Sequence, residues 1–407
     1  MNTLNTDIAI IGGGLVGASL ALALRPLIEK SGCKVSLFES QPPQADGALP
    51  ATQPSFDARA SALSWGTRLI YEQLGLWQPL SPQTYPITHI HVSERQRLGT
   101  THLSAADQQT EALGYVVTNQ WMGQTLWCAL RQDSRVDIQA PAQIEQIQWA
   151  DPQQAILKGQ VAGQPVQVSA RLVVLVDGGR SGLKQQLGIA DQVYDYQQNA
   201  LVTNLRSTCS AQGWAYERFV PQGAMALLPL QDTQRGLVWT GPSEQMQRLA
   251  QLDDEAFLHA CQQSFGSRSG QFLQVGRRDL YPLKKVIAQE QVRRNLVLLG
   301  NAAHYLHPVA GQGYNLAIRG VMSLADWLLS QAQQQGCDFH PGELASLQAW
   351  LDTRLADQQA VIGASHHLID GFSRPGPLLS RIRGLGLLGL NNLPRVKNLL
   401  AKKAMGV

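Results

Sequence analysis

An apolar strand that runs into a glycine-rich turn near the N-terminus constrains this chain more than any other feature. Residues 8–11 are all apolar, and Gly12, Gly14 and Gly17 then match the pattern G-x-G-x-x-G at the start of a helix expected over residues 18–29. Glycines at these positions permit a tight turn and let the backbone approach a pyrophosphate, which the N–H groups and dipole of the helix bind. The stretch therefore predicts a βαβ unit, a parallel sheet and a dinucleotide site.

A second strand and an acidic residue complete this unit. Residues 35–38 form a short strand that ends at Glu39, about 20 residues after the glycines, where an acid that binds ribose hydroxyls is expected. A second match to the glycine pattern, at Gly384, Gly386 and Gly389, has no strand before it and too few residues after it for a βαβ unit. We therefore predict one dinucleotide site of this kind.

Composition places the chain among globular proteins of about two domains, or one elaborate domain. Of its 407 residues, 44% are hydrophobic and 15% charged, and the net charge of +3 provides no basic footprint for nucleic acid. No signal-peptide pattern is seen, and no apolar run approaches the ~20 residues of a membrane span. An odd number of cysteines without C-x-x-C spacing indicates reduced thiols in a cytosolic compartment: Cys33, Cys128, Cys209, Cys261 and Cys337.

The remaining pattern is that of an α/β chain with a long β-rich insertion. Residues 86–103 and 136–176 contain strand-like runs, and residues 195–285 are mainly β in pattern, interrupted by a helix near residues 253–265. A helix is expected over about residues 314–331, and the chain beyond it is mostly helical in pattern.

Two further motifs decide which dinucleotide is bound. Residues 174–181 read Val-Leu-Val-Asp-Gly-Gly-Arg-Ser, and residues 299–304 read Leu-Gly-Asn-Ala-Ala-His, followed over residues 307–315 by His-Pro-Val-Ala-Gly-Gln-Gly-Tyr-Asn. Together with the glycine turn, these segments resemble the three flavin motifs of the FAD-dependent aromatic hydroxylases, the single-component flavoprotein monooxygenases. The motifs stand in the family's order and extend over residues 8–320.

Within this family the chain resembles the ubiquinone-biosynthesis branch over almost its whole length. Residues 307–316 resemble the branch signature, and residues 56–60, 225–230 and 281–283 resemble its supporting blocks. The resemblance implies FAD as cofactor, NAD(P)H and O2 as co-substrates, and hydroxylation of a polyprenylated methoxyphenol through a flavin C4a-hydroperoxide. Asn301, where Asp is usual, and the Leu-Pro-Leu block that ends at Leu237-Val238-Trp239 make the chain similar to hydroxylases of 2-polyprenyl-6-methoxyphenol.

The resemblance also implies a fold and its division. The expected fold is α/β: a Rossmann-like FAD-binding domain with an inserted β-sheet substrate domain and a helical C-terminal segment, as in para-hydroxybenzoate hydroxylase. The predicted division is a discontinuous FAD-binding domain over 1–80, 106–185 and 286–345, a substrate domain over 81–105 and 186–285, and a C-terminal segment over 346–407.

The cofactor contacts follow motif by motif from the resemblance. Arg59 is expected to contact the flavin and help it to move between positions, and Lys184 stands where many relatives have Arg, which keeps the charge but loses bidentate geometry. The residues expected to bind FAD are Gly12, Gly14, Gly17, Glu39, Arg59, Asp177, Gly178, Gly300, Asn301, Pro308, Gly311, Gln312, Gly313 and Asn315.

The residues that carry out proton transfer are not assigned by the sequence. Electrophilic attack requires an electron-rich ring, so a group must ease deprotonation of a phenol whose pKa is about 10. His304 and Tyr314 are candidates because they lie next to the flavin loop in the sequence. His304 and His307 also spell H-x-x-H, but a third ligand is missing and no metal site is predicted.

The C-terminal residues 371–407 are basic and amphipathic. They contain seven Lys and Arg residues and no Asp or Glu, interleaved with leucines. Such a segment is typical of contact with a lipid surface, which a polyprenylated substrate makes plausible, or with a partner helix in a biosynthetic assembly. The alternative is a terminal helix packed on the body with a solvated basic face.

Other functions stay open at this point. The same fold could hydroxylate another ring position, act on a different aromatic substrate, or reduce a prenyl chain. A halogenase is disfavoured because no W-x-W-x-I-P motif occurs. A different class of function is a non-catalytic flavin-binding subunit of a lipid-biosynthetic complex.

Overall fold

The computed structural model describes residues 2–42, 59–95, 99–306, 311–373 and 393–407. Several sequence predictions lie outside these ranges: the Pro308 contact, His307, the start of the block at residues 56–60, and the second glycine pattern at Gly384, Gly386 and Gly389.

The first sheet is the predicted parallel sheet. It contains β1 (Asn2–Ile11), β2 (Val35–Phe38), β8 (Val136–Gln139), β9 (Ala142–Asp151), β10 (Gln154–Val161), β11 (Gln164–Leu175), β18 (Val292–Arg293) and β19 (Leu296–Leu298). The order is β18-β19-β11-β1-β2-β8, in which β1 pairs in parallel with β11 and β2, β2 with β8, and β11 with β19. Outside this path, β10 is antiparallel to β11, and β9 is antiparallel to β10. The ends of β1 and β11 and the whole of β19 are apolar because apolar clusters cover both faces of the sheet there.

The described helices pack mainly around this sheet. They are α1 (Leu15–Ala23), α2 (Arg25–Ser31), α3 (Trp65–Gln73), α4 (Trp77–Leu80), α5 (Asn119–Arg131), α6 (Leu183–Gln186), α7 (Ser243–Gln251), α8 (Asp254–Phe265), α9 (Gln312–Gln335), α10 (Leu344–Ser373) and α11 (Pro394–Met405).

The prediction of a single helix over residues 18–29 is wrong. The structure has two helices, α1 and α2, which meet at Leu24. Pro26 lacks the N–H that would continue the hydrogen-bond ladder and disfavours helical geometry at the residue before it, so the chain restarts there. Gly32 then ends α2 at a φ of +70°, in the left-handed region.

The second sheet is the β-rich insertion. It contains β5 (His89–Glu94), β6 (Thr100–Ser104), β12 (Asp191–Ser207), β13 (Trp214–Val220), β14 (Gly223–Pro229), β15 (Gln234–Pro242), β16 (Phe272–Val275), β17 (Asp279–Ala288) and β20 (His304–Tyr305). The order is β20-β17-β12-β15-β14-β13-β5-β6, with β16 on β12. The predicted helix near residues 253–265 is confirmed as α8, whereas α7 was not predicted. The domain boundaries stay a prediction.

A small third sheet lies between the two larger ones. It pairs β3 (Ala60–Ser64) and β4 (Thr84–Ile87) with β7 (Gly114–Thr118). Its residues Ile87 and Val116 form one apolar cluster with Ala215 and Leu230 of the second sheet. This cluster places β3 and β4 against one face of the β-rich insertion.

The C-terminal helix α11 is docked on the body of the protein. Met405 packs with Ala105 and Leu113, and the Lys397 ammonium lies 3.2 Å from the Asp107 carboxylate. None of the described helices is long and apolar enough to cross a membrane. All five cysteines are free thiols, as predicted.

Candidate active site

The glycine turn after β1 has the geometry that its sequence predicted. Gly12 has a φ of +107°, and a Cβ atom added there would lie 2.8 Å from the carbonyl oxygen of Val176. A Cβ atom at Gly17 would lie 1.8 Å from the carbonyl oxygen of Gly12. Gly14 is the N-cap of α1. The first N–H groups of the helix are therefore left for an anionic group rather than for a capping side chain.

Glu39 lies beside this turn, at the carboxyl end of β2. Its side chain is 7% exposed and accepts hydrogen bonds from the backbone N–H groups of Gly13, at 2.5 Å, and Gln41, at 2.7 Å. The indole N–H of Trp127 donates to the carbonyl of Gly13 at 2.9 Å. The carboxylate is held rigidly, and its remaining lone pairs suit two ribose hydroxyls.

The second motif forms a closed turn at the end of β11. The Asp177 carboxylate accepts hydrogen bonds from the N–H of Gly179 and the N–H of Ser181, both at 2.9 Å, and from the Ser181 hydroxyl. Gly178 and Gly179 have φ values of +72° and +74°. The described contacts of Asp177 therefore shape the turn, and its predicted contact with the cofactor stays a prediction.

The third motif meets the other two at the same edge of the parallel sheet. A Cβ atom at Gly300, where φ is +60°, would lie 3.2 Å from the Val16 side chain in the first turn of α1. A Cβ atom at Gly179 would lie 3.8 Å from the carbonyl oxygen of Asn301, whose side chain is exposed. The carboxyl ends of β1, β11 and β19 thus bring the three motifs together, which is where parallel sheets bind dinucleotides.

Asn315 fastens the start of α9 to the third sheet. Its carbonyl oxygen accepts hydrogen bonds from the N–H of Ser64 and the hydroxyl of Thr67, both at 2.8 Å. Its amide nitrogen donates to the carbonyls of Ala62, at 3.0 Å, and Gly311, at 2.8 Å. The side chain is 1% exposed, and both the oxygen and the nitrogen of its amide are hydrogen-bonded. Asn315 therefore positions Gly311 and the start of α9.

The start of α9 lies against β3 and against the C-terminal helix. Gly311, with a φ of +61°, is the N-cap of α9, and a Cβ atom there would lie 3.3 Å from the Cβ of Ala62. The amide of Gln312 donates to the carbonyl of Ala404 in α11 at 3.3 Å. A Cβ atom at Gly313 would lie 3.8 Å from Leu306. Gln312 thus contacts α11 by its side chain, whereas its backbone stays at the helix start.

The two candidates for proton transfer are both held in packed surroundings. His304 is buried in β20, and this burial lowers the pKa of its imidazole to about 4, so the ring is neutral at physiological pH. The Tyr314 hydroxyl hydrogen-bonds to the hydroxyl of Tyr71, which lies 3.1 Å from the Ser19 hydroxyl of α1. Burial raises the pKa of Tyr314 well above its ordinary value. Neither pKa suits a group that removes a proton from a phenol at neutral pH.

Lys184 and Arg59 stand at the border of the site. The Lys184 ammonium is buried and contacts the Asp191 carboxylate at 2.7 Å and the carbonyl of Ala302 at 3.2 Å. It therefore stabilises the turn of the third motif. The Arg59 guanidinium lies 4.5 Å from the ring centroid of Tyr281 on β17. That cation–π contact brings the predicted flavin residue to the second sheet.

One residue of the second sheet was missed by the sequence reasoning. Glu217 lies on β13 between Ala215 and Phe219, which point to the same side of the strand. In register with it across the sheet are Val92 on β5 and Ala226 on β14. The sequence does show an isolated acidic residue in a strand of alternating apolar residues. That pattern alone does not indicate which side of the strand is buried.

The residues at the sheet edge fit FAD. Three glycines surround the start of α1, which has no capping side chain: Gly12, Gly17 and Gly300. At each of them a side chain is excluded by a close contact of the Cβ atom or by a positive φ. Glu39 provides a fixed acceptor for a ribose. The described residues contain no cluster of three or more His, Cys, Asp or Glu side chains that could hold a metal ion.

Comparisons with known proteins agree with this geometry. Residues 5–338 match the model of the FAD binding domain family. The chain is 33% identical over 401 residues to ubiquinone hydroxylase UbiL of Rhodospirillum rubrum, covering 98% of this chain and 89% of that protein. It is 30% identical to 3-demethoxyubiquinol 3-hydroxylase of Escherichia coli, covering 99% of each.

A solved structure shares the fold. The p-nitrophenol 4-monooxygenase PnpA of Pseudomonas putida superposes with a TM-score of 0.78 at 18% identity, over 100% of this chain and 99% of that one. The predicted fold class, an FAD-binding α/β domain with a β-sheet insertion, is thereby confirmed.

Proposed function

The chain belongs to the family of FAD-dependent monooxygenases that includes the ubiquinone-biosynthesis hydroxylases, and we propose that it hydroxylates the aromatic ring of a polyprenylated methoxyphenol in that pathway. The observation that carries the proposal is the meeting of three flavin motifs at one sheet edge. One atom of O2 enters a ring C–H bond, the other leaves as water, and NAD(P)H supplies the two electrons.

The proposed cofactor contacts are those predicted from the motifs. FAD, when bound, accepts hydride from NAD(P)H and activates O2. The start of α1 holds the pyrophosphate, and Glu39 holds the ribose. The start of α9, at Gly311, offers N–H groups and the positive end of a 24-residue helix to an anionic group. Asn315 keeps that helix start against Ala62.

Two phenols are candidate substrates under this proposal. The similarity at Asn301 favours 2-polyprenyl-6-methoxyphenol. The Escherichia coli relative, aligned over 99% of each chain, is named for hydroxylation of 3-demethoxyubiquinol, so another ring position of the same pathway is the second candidate. Both are electron-rich rings with a prenyl tail.

Turnover and cellular lipids test the proposal together. Purified protein loaded with FAD is expected to oxidise NAD(P)H faster when a prenylated methoxyphenol is added, and to release a product that is heavier by one oxygen atom. Cells that lack the protein should accumulate the matching phenol and lose ubiquinone. If no phenol stimulates NAD(P)H oxidation by the FAD-loaded protein, the non-catalytic flavin-binding subunit becomes the better proposal.

We also propose that the C-terminal segment contacts an anionic lipid surface. The outward face of α11 and the residue before it carry apolar side chains at helical spacing: Leu393, Val396, Leu399 and Leu400 are 54%, 44%, 57% and 46% exposed. Residues 393–407 contain four Lys and Arg and no Asp or Glu. The opposite face is occupied, because Ala401 and Met405 are 1% and 3% exposed. Apolar residues flanked by bases suit a membrane interface.

Vesicle flotation tests this contact on the full chain. We expect Leu399→Ser with Leu400→Ser to reduce flotation with anionic vesicles several-fold, because two of the exposed apolar side chains are removed. Leu273→Ser is the matched control, since Leu273 is 52% exposed but lies on β16. Equal flotation of the double variant and the wild type would leave α11 as a packed terminal helix with a solvated basic face.

A further inference from the structure

We propose that Glu217 is the catalytic residue that accepts the proton of the substrate's phenol hydroxyl. The inference rests on the proposed function, because it names the group that a phenol hydroxylase of this fold requires and that the sequence left unassigned.

Glu217 stands in a row of side chains that crosses the second sheet. The strand register places Val92, Glu217, Ala226, Val238 and Val202 opposite one another in that order. Residues opposite one another on neighbouring strands point to the same face. All five are partly exposed. These five positions are therefore an accessible row of small aliphatic side chains around the Glu217 carboxylate, and the register continues to Thr101 at one end and to Asp279 at the other.

The opposite face of the same strands is closed. Tyr216, the neighbour of Glu217, packs against Phe265 of α8 with ring centroids 5.6 Å apart. Leu227 and Leu237, in register with Tyr216, are fully buried in the cluster that includes Met246 of α7. Because α7 and α8 cover that face, the row containing Glu217 is turned the other way.

The face of Glu217 is the one that meets the flavin-binding part of the chain. Ala215 precedes Glu217 by two residues, or about 7 Å along the strand, and belongs to the cluster that includes Ala60 and Ala62 of β3. Ala62 is the residue against which Gly311, the start of the flavin helix, packs. Glu217 thus lies on the same sheet face as Ala215, which packs toward β3 and so toward Gly311 at the start of α9.

The carboxylate has no partner that would hold its charge. Within the described part of the chain, neither a hydrogen bond nor an ion pair reaches it, and burial raises its pKa to about 7. A base with a pKa close to the working pH is the most effective for general catalysis. Other described titratable groups at this face or at its margins include Glu94 on β5, Arg206 on β12, Asp279 and Tyr281 on β17, Arg59 beside Tyr281, Tyr85 on β4 and His366 on α10.

The proton balance of the step is simple. As the ring carbon forms its bond to oxygen, the O–O bond of the oxygen donor breaks, the phenol O–H bond breaks, its proton passes to a carboxylate oxygen of Glu217, and the O–H electron pair moves into the ring. The hydrogen then leaves the oxygenated ring carbon as a proton, which is taken up by the oxygen atom that departs as water, and the C–H electron pair restores the aromatic system. The Glu217 carboxylic acid returns its proton to the phenol oxygen, so the residue ends the cycle ionised.

Glu217→Gln tests this role because it keeps size and removes the base. We expect kcat to fall about 100-fold or more, while the Kd for the phenol on the FAD-loaded protein changes by less than about threefold. In the wild type, kcat should fall as pH drops through about 7, because the base must be ionised; the variant should lack this limb. Glu244→Gln, an exposed change on α7, is the matched control.

A readout without turnover accompanies the kinetics. A raised pKa in the folded state means that ionisation of Glu217 destabilises the fold as pH rises past its unfolded value. The Tm of Glu217→Gln should therefore exceed that of the wild type at alkaline pH and match it at acid pH. Unchanged kcat and pH profile in the variant would overturn the role of Glu217. A wild type that hydroxylates no phenol would instead overturn the proposed function.

Discussion

Gly17→Ala is expected to lose FAD. The added Cβ atom would lie 1.8 Å from the carbonyl oxygen of Gly12 and 2.9 Å from the Val176 side chain. Neither contact is possible, so the turn and the start of α1 must move apart. Strain of about 1–3 kcal/mol is typical of overpacking, and if it falls on the bound state it weakens FAD binding about 10- to 100-fold. The Kd can be measured by quenching of flavin fluorescence during titration of the apoprotein.

A second glycine-to-alanine change controls for the substitution itself. Gly363 lies inside α10, and nothing lies within 4 Å of a Cβ atom added there. Gly363→Ala should leave the Kd for FAD unchanged and raise stability by up to about 1 kcal/mol, because alanine is the better helix former. FAD binding by Gly17→Ala with wild-type affinity would show that the turn accommodates a side chain and that the described geometry is wrong there.

Asn315→Ala is expected to cause the largest loss of stability of any single change at the site. It removes four hydrogen bonds and leaves the N–H of Ser64, the hydroxyl of Thr67 and the carbonyls of Ala62 and Gly311 without that partner. Unsatisfied buried groups cost about 1–3 kcal/mol each, of which some is recovered by relaxation. We expect the free energy of unfolding to fall by about 3–5 kcal/mol in denaturant titrations.

Two further variants separate the amide chemistry from side-chain size. Asn315→Asp keeps the acceptors for Ser64 and Thr67 but directs a carboxylate at two carbonyl oxygens, so it should be almost as destabilising. Asn398→Ala removes one exposed hydrogen bond, with Gln108 at 3.0 Å, and should cost less than about 0.5 kcal/mol. A loss below about 1 kcal/mol for Asn315→Ala would mean that the loop is not held by this side chain.

The nucleotide-binding half of the site could be predicted from the sequence because its determinants are local. The glycines of the first motif are required by the turn in which they sit, and the strand before them and the acid at Glu39 lie within one βαβ unit. The break between α1 and α2 was missed although Pro26 marks it, because the apolar pattern continues through it.

The substrate side could not be predicted in the same way. Asn315 is named in the motif, but its four partners are about 250 residues away in the chain or at the loop behind it, so only the packed structure shows that it fastens the loop. The docking of α11 beside Gln312 also joins residues distant in sequence, since Gln312 and Ala404 are 92 positions apart.

The sequence by itself determined the dinucleotide turn and the order of the elements, since backbone turns, helix starts and strand periods depend on neighbouring residues. The resemblance of its motifs to those of known flavoproteins indicated FAD and the family. Tertiary structure alone decided which side of β13 packs against α7 and α8 and which side faces β3. Alternation separates Ala215, Glu217 and Phe219 from Trp214, Tyr216 and Arg218, but both sets contain apolar and ionisable residues. Only the packing of α7 and α8 over one face turns the other toward β3, because burial is settled by long-range contacts that no local period contains.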